Sequence, residues 1–65
     1  MPKFPHVSVP MVGEDGNVFA IIGRVRQALS RAGEREAAKE FSALAMQQPS
    51  YDHVLRLVMD WVEVD

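Results

Sequence analysis

Met59-Asp60-Trp61-Val62-Glu63-Val64-Asp65, the last seven residues of a 65-residue chain, decide its fold class. Ahead of them Tyr51, Val54, Leu55, Val58, Trp61 and Val62 recur at helical spacing, so a helix running to the end would make the chain all-α. Two features stop it. Asp60, Glu63 and Asp65 gather where a helix exposes its negative end, and Trp61 to Asp65 alternates apolar and polar with the period of a strand. The helix is predicted to end near Asp60, with residues 62–64 forming a short strand.

At the other end, Val7, Val9 and Met11 alternate with Ser8 and Pro10, which predicts a strand over 7–12. Pro10 has no N–H to donate, so the strand belongs at an edge. Pro2 and Pro5 bias residues 1–6 towards an extended tail, leaving 7–65 as a single domain. Between the strands, Val18, Ile21, Ile22, Val25, Ala28, Leu29 and Ala32 fall within one arc about 120° wide at 100° per residue, the signature of an amphipathic helix. The turn ahead of it carries Gly13, Glu14, Asp15 and Gly16, with Asn17 or Asp15 as its N-cap, and Gly33 sits where a left-handed residue ends a helix.

A second helix is predicted over Glu34–Gln48, with Glu34 and Glu36 in its first turn and an alanine-rich contact face around Phe41. Pro49 stops it. Ser50 is the expected N-cap of the third helix, with Asp52 in its first turn. The order is β-α-α-α-β: a small α+β domain whose two short strands pair and pack against three helices on one side.

Composition narrows the function classes. The chain is 48% hydrophobic with a formal net charge of −2, so no global field draws it to nucleic acid or anionic membrane. It has no cysteine, which removes disulfide staples, thiolate metal sites and cysteine nucleophiles together. No apolar run approaches the roughly 20 residues that span a bilayer. The proline-interrupted start reads as no signal peptide, and a cytoplasmic setting is the expectation.

The acidic glycine turn does not resemble a phosphate loop, because two carboxylates repel phosphate and Gly-Lys-Ser/Thr is missing. Ser50, Asp52 and His53 lie within four residues, but on one helical turn the three side chains are expected to diverge, so they read as a cap and a surface histidine. No catalytic residue, metal or cofactor is implied. Arg24 and Arg31 form a stripe on the first helix that Arg35 would extend if the helix ran on. Phe19 and Gly23 fall outside the main apolar arc, on a flank suited to a close contact.

The run Val12-Gly13-Glu14-Asp15-Gly16-Asn17-Val18-Phe19-Ala20-Ile21-Ile22-Gly23-Arg24-Val25 resembles a family of small proteins of bacterial genomes and their mobile elements. The resemblance continues through Gln27–Gly33 and returns at Ser50–Leu55 and Met59–Val64, with the middle helix the weakest part. It implies one shared fold but no established activity, substrate, cofactor or catalytic residue, and it allows the idea of a protein acting on a host factor.

The expected function is a non-enzymatic binding or assembly module working through protein–protein contacts. Its candidate contact residues are Phe19, Gly23, Arg24, Arg31, Trp61 and Val64, and a homodimer is expected because a core this small has no staple. The alternative is a nucleic-acid or nucleotide-binding protein using the arginine stripe.

Overall fold

Val62 is where the chain changes geometry. Its N–H still donates to Val58 O as the next step of a helix, while its own dihedrals (φ −137°, ψ 164°) are those of a strand. Helix therefore passes into strand with no loop between them. The computed structural model describes residues 1–10 and 17–65. Among these the chain forms β1 (Phe4–Val9), α1 (Val18–Arg31), α2 (Arg35–Met46), α3 (Tyr51–Trp61) and β2 (Val62–Val64), the α+β order read from the sequence.

β1 and β2 pair in parallel, with Phe4 opposite Val62, Ser8 opposite Glu63 and Val9 opposite Val64. The ladder is irregular between Phe4 and Ser8, where Pro5 has no N–H to give. Backbone bonds extend the pairing at both ends: Lys3 N–H donates to Asp60 O at 2.9 Å, and Asp65 N–H donates to Val9 O at 3.0 Å. Val7, Val9 and Val62 are buried, whereas Ser8 and Glu63 are exposed, so one face of the sheet is covered and the other is wet.

This corrects the expected strand limits. The strand begins at Phe4 rather than Val7, so Phe4, Pro5 and His6 belong to the sheet and not to a tail. The cause is a long-range contact. The Phe4 ring lies 5.7 Å from that of Trp61, which packs on Phe41 at 5.6 Å in an edge-on arrangement. Met11 and Val12, like the turn residues Gly13, Glu14, Asp15 and Gly16, lie outside the described residues.

The core is apolar throughout: Ile21, Val25 and Leu29 from α1, Phe41 from α2 and Val58 from α3 have essentially no exposed surface. No polar or charged residue is buried among the described residues. Shape and apolar area, rather than an internal polar network, therefore set the packing.

The helix ends follow local chemistry. Asn17 Oδ1 accepts from the N–H groups of Phe19 (3.0 Å) and Ala20 (3.4 Å) and caps α1. At its other end Gly33 takes φ +84°, and the Glu34 N–H reaches back to Leu29 O at 2.8 Å while Gly33 N–H donates to Ser30 O. This is the paired closure of a Schellman turn. It reverses the chain after Arg31, so Arg35 opens α2 and does not extend the arginine stripe. Glu34 is the residue before α2 and provides no side-chain cap, and the helix ends at Met46, two residues before the expected Gln48.

The two described glycines predict opposite outcomes. Gly33→Ala is expected to cost about 1–2 kcal/mol, because an alanine at positive φ is strained. Gly23 lies inside α1, and a Cβ added there meets nothing within 4 Å. Gly23→Ala should therefore stabilise the fold by about 0.5–1 kcal/mol. Urea denaturation of the two variants checks both signs.

Candidate interaction surfaces

The first turns of α1 and α3 converge on the last turn of α2, and the sequence makes their shared face apolar. Val18, Phe19 and Ile22 come from α1, Ala45 and Met46 from α2, and Tyr51 and Val54 from α3. They enclose a groove of about 270 Å³ with Gln48 and Ser50 on its wall. Gln48 is held there by its amide, which donates to Leu44 O at 3.1 Å. Phe19 stands at this groove with 68% of its surface exposed, and Met46 beside it is 59% exposed. Two large apolar side chains thus stand in water next to a concave apolar face.

Phe19 is thus not absorbed into the core, as its position outside the apolar arc of α1 implies. Gly23 is exposed and open rather than closely approached, so no internal packing explains it. Met46 was missed in the sequence, although the same rule finds it, since it falls off the contact face of α2. Trp61 is a correction: at 3% exposure it is a core residue packed against Phe4 and Phe41, with Lys3 Nζ 4.4 Å from its ring centroid. Its side chain is unavailable to a partner. Val64 is half-buried in β2.

A second, larger groove of about 500 Å³ runs between β1 and α1. His6 to Pro10 form one side, and Arg24, Gln27, Ala28, Arg31 and Ala32 form the other. The structure therefore brings Arg24 and Arg31 together on one wall, at a distance from Phe19 along α1. Arg24 has an interaction partner within the protein. His6 Nε2 lies 3.3 Å from Glu34 Oε2 and ties β1 to the turn before α2.

Ser50, Asp52 and His53 are partly corrected. Ser50 Oγ accepts from His53 N–H at 3.3 Å and lies 2.7 Å from His53 Nδ1, so these two side chains converge. With one oxygen lone pair taken by the backbone, the hydroxyl donates to Nδ1 in the tautomer that carries its hydrogen on Nε2. Asp52 makes no hydrogen bond to His53 among the described residues, and both side chains of the pair are exposed. The arrangement is a helix cap that also orients an imidazole.

No group of three His, Cys, Asp or Glu side chains among the described residues gathers to hold a metal ion. No helix among them is long and apolar enough to cross a membrane. No protein-family model, curated protein or solved structure matches the chain.

The capping role of Ser50 has a measurable consequence. Ser50→Ala should lower the free energy of unfolding by about 1 kcal/mol, whereas Ser50→Asp, which keeps an acceptor at the N-cap, should leave it nearly unchanged. Equilibrium denaturation of both variants distinguishes a cap from a hydroxyl held only by the imidazole.

Proposed function

We propose that the chain is a non-enzymatic binding and assembly module that acts through protein–protein contacts, and that its first partner is a second copy of itself. The observation that carries this reading is Phe19, exposed beside the groove of α1, α2 and α3. A two-fold interface must be self-complementary, so one patch has to hold both a projection and a recess to receive it. This face holds both. A 65-residue chain without cysteine also lies in the size range where association commonly supplements a small core.

Magnitudes set the expected strength. Burying one phenylalanine supplies about 1.5–3 kcal/mol. Two insertions, about 3–6 kcal/mol together, meet only the low end of an association cost of roughly 4–15 kcal/mol. Met46 and the half-exposed parts of Val18 and Tyr51 have to be covered as well, which makes a micromolar rather than nanomolar dimer the expected product. Nucleic acid has less support as the partner, because the chain carries a net charge of −2 and, among the described residues, no Phe, Tyr or Trp lines the groove beside Arg24 and Arg31.

Sedimentation equilibrium at micromolar concentration tests the reading. A mass twice the 7.3 kDa of the chain is expected, with Phe19→Glu returning it to the monomer. A monomer mass at every accessible concentration would overturn self-association. A dimer that survives Phe19→Glu would place the contact on the free edge of β2, at Val64, and overturn the role of the groove.

A further inference from the structure

We propose that Met46 is an oxidation site that switches self-association. Conversion of its thioether to the sulfoxide by a hydroperoxide releases the dimer, and reduction of the sulfoxide restores it. The proposal rests on the reading of the Phe19 face as the self-contact and names the regulation of that same site.

The observation is a matched pair of side chains. Met46 and Met59 stand in water to nearly the same degree, at 59% and 56% exposure. Met46 closes α2 and lines the groove of α1, α2 and α3 together with Phe19, Ile22 and Val54. Met59 belongs to α3 and lines neither groove. Access of a small oxidant to the sulfur is therefore alike at the two positions, and only the surroundings differ. The chain has no cysteine, so no thiol competes for the peroxide and methionine carries all of its sulfur.

The step is a two-electron oxygen transfer. The Sδ lone pair attacks one peroxide oxygen, and the S–O bond forms as the O–O bond breaks. The other oxygen leaves as water, or as the alcohol of an organic hydroperoxide, taking the proton of the transferred oxygen. Sulfur is oxidised and the peroxide reduced. A flexible apolar side chain, suited to filling an irregular contact, becomes a polar one with an acceptor oxygen. In the monomer water solvates that oxygen, and the core is untouched because Met46 lies outside it. In the dimer the apolar face closes over it and strips its hydration. Two-fold symmetry doubles the effect, since each dimer covers two copies of Met46.

The test applies hydrogen peroxide to the whole chain and follows mass by sedimentation equilibrium and each methionine by peptide mass spectrometry. Full conversion of Met46 should weaken association roughly tenfold or more, with the far-ultraviolet circular dichroism unchanged, and methionine sulfoxide reductases for both epimers should restore it. Met46→Leu should associate and lose the sensitivity, whereas Met59→Leu should keep it. In the untreated dimer Met46 should oxidise several-fold more slowly at protein concentrations well above the dissociation constant than well below it, while Met59 oxidises equally at both. Undiminished association of the Met46 sulfoxide, equal sensitivity of Met46→Leu, or protection of Met46 and Met59 alike would overturn the proposal. A chain that is monomeric before any peroxide is added overturns self-association and the switch with it. A dimer that ignores the oxidation of Met46 overturns the switch alone.

Discussion

Parallel strands cannot be joined by a hairpin; their connection has to cross over. Bringing Phe4–Val9 beside Val62–Val64 therefore makes everything between them a single crossover, and in this chain that crossover is three helices. The pairing joins opposite ends of the sequence, so the loop-closure entropy is met late and rewarded only when the helices pack. Trp61 is the side chain that connects the two. It closes α3, leads directly into β2, and touches Phe4 of β1 and Phe41 of α2. A sheet of two strands is marginal in water without such a covered face.

The same constraint distributes the surface. α1 packs against β1, so its C-terminal half, with Arg24 and Arg31, shares a groove with His6 to Pro10. Its N-terminal turns project past the sheet towards α2 and α3, and Phe19 is left facing water there. One helix thus carries two chemically different faces: an apolar recess with a protruding ring, and a wall bearing Arg24 and Arg31. A core with no buried polar group among the described residues leaves polar specificity to these surfaces.

Much of this was legible in the sequence because the signals are local. The alternation of Trp61 to Asp65, together with acids at the wrong end of a helix, gives β2, and Asn17, Gly33 and Ser50 sit where their side chains or backbone freedom cap helices. Misreadings arose where a distant contact decides. Phe4 joins β1 because the Trp61 ring is there to meet it, while local reading sees only prolines on either side. Trp61 reads locally as a residue shared by a helical stripe and a strand alternation, and as a candidate contact residue, whereas the rings of Phe4 and Phe41 cover it. Ser50 and His53 converge because the capping hydroxyl turns back over the first helical turn, which a projection of side chains on an ideal helix does not capture. Met46 carried the same signal as Phe19, a large apolar side chain off the contact face, and was legible in principle. The groove beside Arg24 and Arg31 was not, since its other wall is a strand edge defined only by the pairing.

The central claim is that sheet and helices form one cooperative unit closed at Trp61. This is the chain's one tryptophan, so its fluorescence reports the junction of β2, β1 and α2 while far-ultraviolet circular dichroism reports the helices. In an equilibrium urea titration the two transitions should coincide in midpoint and slope, as a two-state unit requires. A fluorescence transition completed at lower urea, with helical signal intact, would mean that the strands come away from a self-sufficient helical bundle and would contradict the account.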